Sequence, residues 1–182
     1  LPIIADGYAK EVLKVTPDDI FIGSPPLAFT FSLGGLAISP LRHGAAAGAA
    51  GARGEVPVGA VIVDPSGVVV AKSGNRTREL NDPTAHAEML VIRAACAAAG
   101  VERLNDHALY VTLEPCPMCA AAISNARIAR LYYGAADVKS GGVAQGPRVF
   151  NHPQCHHAPE VYDGISASES ETLLTEFFAQ RR

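Results

Sequence analysis

The chain has 182 residues, of which 48% are hydrophobic, and a formal net charge of −3 at pH 7. This composition excludes an intrinsically disordered chain, and the length suffices for one domain with a substantial buried core. The negative charge argues against broad affinity for nucleic acid, although a local basic rim could still bind it.

The hydrophobic pattern after residue 55 predicts a mixed α/β domain. In chain order it indicates strand, strand, helix, strand, helix, strand, loop, short strand and helix. Because strands joined by helices pair in parallel, the sheet should be mixed and covered by helices. The predicted strands are Val58–Val63, Val68–Ala71, Ala108–Leu113 and Arg127–Tyr133, and Ser166–Gln180 should form an amphipathic helix.

Residues 44–54, shortly before the first predicted strand, are all alanine or glycine except Arg53. Three internal glycines would cost a helix about 3 kcal/mol relative to alanine. Tertiary packing could still hold this segment helical, and its small side chains would allow close approach to a sheet.

The candidate metal-binding and catalytic residues lie at the starts of two predicted helices. Pro83-Thr84 is typical of a helix start and places His86 and Glu88 in the first turn. Cys116 opens a second helix, on which Cys119 shares its face. The partial positive charge at a helix N-terminus favours thiolates. We therefore expect the two helix starts to face each other and to hold one ion.

One imidazole and two thiolates form the ligand set of a catalytic zinc site. Three protein ligands on a tetrahedral ion leave one position for water, and Glu88 is then a spare carboxylate beside it. A redox pair is the alternative for Cys116 and Cys119 alone. Cys96 would make a structural site, but it lies about 15 Å along the first helix from His86.

The sequence resembles the zinc-dependent cytidine deaminase superfamily, and within it most closely the bacterial tRNA adenosine deaminases. The zinc motif is specific for the superfamily. The similarity covers about residues 54–182 and implies a three-layer α/β/α fold with a five-stranded mixed sheet. The segments that carry it are Glu55–Val63, Gly74–Arg76, Asp82–Glu88, Leu109–Cys116, Gly134–Lys139 and Phe177-Phe178.

The resemblance also implies roles for individual residues. His86, Cys116 and Cys119 would bind Zn²⁺, and Glu88 would carry the proton. Substrate contacts would come from Asn75, Ala87, Asp137, Lys139, Phe178 and Arg181. For Phe177 and Phe178, core packing is the simpler interpretation of one of the two, and Arg181 could be a solvated helix end.

The function implied is hydrolytic deamination of adenosine to inosine at the wobble position of tRNA, with the anticodon stem-loop as partner. One alternative is deamination of a free base or nucleoside, guanine or cytosine. Another is a non-catalytic module stabilised by zinc, against which Glu88 argues. The resemblance and the apolar helix after Cys116 suggest a homodimer, and the cysteine content suggests a reducing cytoplasm.

Two further segments fit this picture less directly. Residues 1–43 resemble a fragment of an aryl- or acyl-CoA ligase without its phosphate-binding loop, so they form an atypical extension before a deaminase domain at 44–182. The uncharged run Phe21–Leu41 contains prolines and paired glycines that disfavour a transmembrane helix. His152, Cys155, His156 and His157 could bind metal, but their irregular spacing favours a structural role or a place on the rim of the site.

Overall fold

The computed structural model of the protein describes residues 39–181, with side chains from His43 onward. The extension at residues 1–43 therefore lies almost wholly outside the described residues, as does most of Phe21–Leu41, and both interpretations stay predictions. The helices are α1 (Ser39–Ala52), α2 (Ala87–Ala99), α3 (Pro117–Asn125) and α4 (Ala167–Ala179). The strands are β1 (Gly59–Val63), β2 (Val69–Gly74), β3 (Ala108–Leu113), β4 (Arg130–Ala135) and β5 (Glu160–Tyr162).

The five strands form one mixed sheet in the order β2-β1-β3-β4-β5. β1 is antiparallel to both of its neighbours, while β3, β4 and β5 are parallel. β2 and β3 therefore run in the same direction on either side of β1, and α2 and α3 are the helical crossovers. The predicted mixed sheet is confirmed.

Helices cover both faces of this sheet, which confirms the three-layer α/β/α architecture. α2 packs on β1 and β2 and against α3, whereas α1 and α4 pack on the opposite face. The side chains of β1 alternate between two clusters, as a strand between two helical layers requires. Ala60 and Ile62 join the core with Val91 and Leu109, and Val61 and Val63 join Tyr110.

The glycine-rich segment before β1 is helical because α1 lies almost against the sheet backbone. An added Cβ on Gly59 would lie well under 3.0 Å from backbone atoms of His43 and Ala47. An added Cβ on Gly74 would meet Ala46 and Ala50 as closely. Glycines on the strands and alanines on the helix thus permit a contact that offsets the helix propensity lost at the glycines.

The predicted elements are all present, with shifted ends. β2 extends to Gly74 rather than Ala71, because Gly74 still pairs with Gly59 on β1. β4 begins at Arg130 rather than Arg127, since Arg127 has a φ of +59° and belongs to the preceding turn. Within residues 39–181, every helix is too short or too polar to span a lipid bilayer.

Candidate metal centre and active site

The site lies where the parallel strands end. Asn75 follows β2, Glu114 to Cys116 follow β3, and Asp137 follows β4. Because these strands run in one direction, their carboxyl ends meet at one edge of the sheet, where open α/β sheets usually bind ligands. The first residues of α2 and α3 lie at the same edge.

His86, Cys116 and Cys119 come together as predicted. His86 Nδ1 lies 3.7 Å from Cys116 Sγ and 3.5 Å from Cys119 Sγ. Ligands at ordinary zinc distances on a tetrahedral ion are about 3.6 Å apart, so this spacing fits zinc. Among the described residues, these three form the one His, Cys, Asp or Glu group whose possible ligand atoms all lie within 4.8 Å of one another.

Two of the three possible metal ligands stand at helix starts. His86 and Cys116 are the N-cap residues of α2 and α3, with extended backbone angles of φ −71°, ψ 152° and φ −67°, ψ 169°. Pro117 follows as the first residue of α3, where proline costs no hydrogen bond. The ligand side chains therefore sit beside the positive ends of two helix dipoles.

The two thiols have opposite pKa shifts. Hydrogen bonds from Cys119 and His86 lower the pKa of Cys116 to about 4 despite partial burial. The hydrogen bond to Cys116 and burial raise the pKa of Cys119. The side-chain contact with Cys116 also raises the pKa of His86. The lowered pKa of Cys116 favours its thiolate, the form that binds a metal ion.

The second nitrogen of His86 differs from the common pattern. A metal-binding histidine usually donates its other N–H to a carboxylate or carbonyl group. Here Nδ1 faces the sulfurs, and Nε2 has no hydrogen-bond partner among the described residues. His86 is the N-cap residue of α2, but its side chain makes no capping hydrogen bond.

Glu88 is a buried carboxylate without a charge partner. Its side chain is 3% exposed, and Oε2 is the one buried side-chain oxygen or nitrogen in the described part of the chain that lacks a hydrogen bond. Burial raises the pKa of Glu88, while the nearby His86 acts in the opposite direction. An acid with a raised pKa and a free oxygen is suited to accept and return a proton near neutral pH.

Asn75 links the end of β2 to the start of α2. Its Oδ1 accepts a hydrogen bond of 2.8 Å from the backbone N–H of Ala87. Its own N–H donates to Val58 O, and its carbonyl accepts a bond from Arg53. The side-chain nitrogen of Asn75, Nδ2, has no hydrogen bond to a described residue, so it is available to a ligand. The Ala87 N–H, in contrast, is already engaged.

Two buried carboxylates that sequence reasoning did not assign hold loops at this edge. Glu55 accepts hydrogen bonds from the Thr77 hydroxyl and the N–H groups of Arg78 and Glu79. Glu114 accepts four backbone N–H groups from residues 137–145. Both acids stand between apolar residues in the sequence, which was the available signal, since a lone buried acid needs polar partners.

Lys139, Phe178 and Arg181 are exposed and do not contact the three possible metal ligands. Phe177 is buried against the core and Phe178 is 48% exposed, so one of the two phenylalanines packs in the core, as the helical pattern predicts. The Arg181 guanidinium lies 3.6 Å from the Phe177 ring centroid, which orders the helix end. Arg181 and Arg53 line a cleft of about 630 Å³ between α1 and α4.

The second histidine and cysteine cluster has a structural role in this fold. His157 Nε2 contacts the carbonyl of Ile128, and Cys155 Sγ lies 3.3 Å from Ser124 Oγ. His156 offers its carbonyl to Arg127. These contacts tie the segment before β5 to the end of α3 and to the loop before β4, and they agree with the predicted structural role.

The comparison with protein families identifies the family of this chain. Residues 41–135 match the zinc-binding region of cytidine and deoxycytidylate deaminases. This chain belongs to that deaminase family. A deaminase of this family is a zinc-dependent hydrolytic enzyme, so zinc is its cofactor, which favours an enzyme over a non-catalytic module.

Three relatives of this deaminase are informative. A tRNA-specific adenosine deaminase from Agrobacterium fabrum (strain C58) is 64% identical over 133 residues, which cover 73% of this chain and 87% of that protein. A solved structure from a study of A-to-I editing by tRNA:A34 deaminases has 62% identity and a TM-score of 0.72, covering 73% of this chain and 96% of its own. A guanine deaminase structure from Bacillus subtilis has 41% identity and a TM-score of 0.52, covering 54% and 63%.

Proposed function

We propose that the protein deaminates adenosine to inosine at the wobble position of tRNA. The observation that carries the chemistry is the free, buried oxygen of Glu88 beside His86, Cys116 and Cys119. The substrate follows from the relatives, since a tRNA-specific adenosine deaminase is 64% identical over most of its length. Water and adenosine would give inosine and ammonia.

In this proposal His86 Nδ1 and the two cysteine sulfurs hold the zinc ion. Zinc in such a site supplies the Lewis acidity that lowers the pKa of a water molecule from 15.7 to about 7. The Glu88 carboxylate accepts a proton from the attacking water and delivers it to the base and the departing amine. Burial of Glu88 keeps bulk water away from the exchanging proton.

The substrate would be held by groups at the same edge of the sheet. Asn75 has a free amide nitrogen for the base, and Ala87 begins the helix beside it. Asp137 and Lys139 lie on the loop after β4, Phe178 lies on α4, and Arg181 lies in the turn that follows α4. Unpaired loop bases are easily splayed and stack on aromatic rings, which suits an anticodon loop and the exposed Phe178.

We also propose that the protein is a homodimer in the cytoplasm. α3 exposes Pro117 and Ala121 on one side, an apolar surface next to the ligand Cys116. A second copy on this surface would place two sites close to the interface. The cytoplasm is where tRNA is found and where the free cysteines of the described residues stay reduced.

Deamination of free guanine is the second candidate. The observation that favours it is the 41% identity to a guanine deaminase structure, which covers only 54% of this chain. Both reactions would use the same zinc ligands and the same glutamate. The two reactions differ in whether residues away from the zinc site contribute to substrate binding, as they would for tRNA but not for a free base.

An assay across four substrates separates the candidates: an anticodon stem-loop, adenosine, cytidine and guanine. We expect turnover of the stem-loop alone, with weaker binding and a shallower salt dependence in Lys139→Ala and Arg181→Ala. The matched control is Arg103→Ala, because Arg103 is exposed beside the opposite edge of the sheet. Efficient turnover of guanine with no reaction on the stem-loop would refute the tRNA proposal.

A further inference from the structure

Glu114 is a buried acid whose partners are all backbone N–H groups. Its side chain is 2% exposed, and none of the ion pairs among the described residues involves it. Oε1 accepts hydrogen bonds from Val143, Ala144 and Gln145 at 2.8–3.1 Å, and Oε2 accepts one from Asp137 at 3.1 Å. One carboxylate thus binds both ends of the 137–145 loop.

The same loop packs directly on the turn that carries a possible zinc ligand. Gly142 N–H donates to Pro115 O at 2.9 Å, and Cys116 is the next residue. An added Cβ on Gly142 would lie 2.6 Å from Pro117 N, and one on Gly141 would lie 2.6 Å from Glu114 Oε1. The loop therefore has no space to shift while these contacts persist.

The exposed tip of the loop depends on the residue that Glu114 holds. Asp137 Oδ1 accepts the N–H groups of Lys139 and Ser140 at 3.0 Å, and its carbonyl accepts that of Gly141. Val138 is 80% exposed and Lys139 is also exposed. The position of Asp137 therefore sets the position of the Lys139 backbone.

We propose that Glu114 is a positioning residue that fixes the 137–145 loop relative to Cys116 and so presents Asp137 and Lys139 to the RNA. The inference rests on the proposed function, because it assigns the loop to substrate binding. It differs from a purely structural role, in which Glu114 would affect stability without affecting the affinity of the folded enzyme.

Glu114→Gln isolates one of the four hydrogen bonds. The glutamine oxygen can replace Oε1 and keep the bonds from Val143, Ala144 and Gln145. The NH₂ group then faces the Asp137 N–H, and two donors cannot bond, so Asp137 loses its anchor. An unpaired, partly buried N–H that faces another donor should displace the start of the loop.

Two measurements test the proposal. Hydrogen exchange should become faster at the Asp137 amide, while Val143, Ala144 and Gln145 stay protected. The KM for an anticodon stem-loop should rise about tenfold with kcat changed less than about twofold, since one lost buried hydrogen bond is of this size. Zinc content should stay the same as in the wild type, because no ligand changes.

Glu55→Gln is the matched control. Glu55 is equally buried, but its Oε2 faces the Thr77 hydroxyl, which can reverse and accept a bond from the new NH₂ group. We expect an unchanged KM in this variant. If Glu114→Gln does not fold, Gly141→Ala places a Cβ against Glu114 Oε1 and the Asp137 carbonyl, so it should displace the same loop and raise KM in the same way.

A double variant separates action through the loop tip from a general effect. If Glu114 acts through Lys139, Glu114→Gln should raise KM much less in a Lys139→Ala background than in the wild type. An unchanged KM in Glu114→Gln with a lower melting temperature would overturn the proposal and leave a structural role. A wild-type protein inactive on the stem-loop would overturn the proposed function, and hydrogen exchange alone would then decide whether Glu114 fixes the loop.

Discussion

The backbone N–H of Ala87 donates a hydrogen bond of 2.8 Å to Oδ1 of Asn75, across 12 positions of the chain. The bond joins the end of β2 to the first residue of α2, whose N-cap is His86. It satisfies one of the free N–H groups at a helix N-terminus with a side chain from another element. The hydrogen bond thereby fixes Asn75, a possible substrate contact, relative to His86, a possible zinc ligand.

Replacing Glu88 by glutamine should abolish deamination while the fold and zinc content persist. The amide cannot accept the proton that a buried carboxylate with a raised pKa accepts. We expect kcat to fall by at least about a hundredfold on the anticodon stem-loop. Ammonia release and zinc content should be measured on the same sample. A variant that keeps a tenth of the wild-type rate would contradict the assignment.

Removal of zinc should destabilise the protein, because in the proposed site the ion would bridge two helix starts through His86, Cys116 and Cys119. We expect one zinc per chain by elemental analysis and a lower melting temperature after treatment with a chelator. Cys116→Ser should lose both the metal and the response to the chelator. Equal melting temperatures with and without chelator would argue against this ligand set.

The sequence predicted the sheet and the grouping of His86, Cys116 and Cys119 because both depend on local patterns. His86 and Cys116 stand at helix starts that proline and apolar periodicity indicate. The roles of Glu55 and Glu114 could not be predicted, since each depends on loops that are distant in the chain. The helix at Ser39–Ala52 was uncertain for a similar reason, because its support comes from Gly59 and Gly74 on strands that follow it.

Substitutions of glycine should have opposite effects on α1 and on β1. Gly59→Ala places a Cβ against backbone atoms of His43 and Ala47, which cannot move as a flexible side chain could. We expect a loss of about 3 kcal/mol in the free energy of unfolding. Gly44 in α1 has no atom within 4 Å of its added Cβ, so Gly44→Ala should gain up to about 1 kcal/mol.

Denaturant unfolding of Gly59→Ala, Gly44→Ala and the wild type measures both changes in the free energy of unfolding. If Gly59→Ala were as stable as the wild type, α1 would not lie as close to β1 as the structure shows.

The proposed dimer predicts that α3 is sensitive to charge. Sedimentation at micromolar concentration should give twice the chain mass of 18.9 kDa. Ala121→Glu should give the monomer, because it places a carboxylate on the exposed apolar side of α3. Ala45→Glu, on an exposed position of α1 across the sheet, is the control and should stay dimeric. A wild-type monomer would refute the proposal.

Glu55 should make the stability of the protein depend on pH in the acid range. Burial raises the pKa of this carboxyl group, but the hydrogen bonds from Glu79, Thr77 and Arg78 lower it by more than burial raises it. The net pKa is therefore below the usual 4.5. The ionised form therefore stabilises the fold fully above about pH 4.5, and this contribution is lost as the pH falls through the lowered pKa.

Glu55→Gln keeps the three hydrogen bonds and removes the charge, so it should cost about 1 kcal/mol at pH 7. The difference in unfolding free energy between the wild type and this variant should shrink as the pH falls from 5 toward about 3. Denaturant titrations at several pH values measure it. A difference that stays constant over this range would show that the charge of Glu55 does not stabilise the loop at residues 77–79.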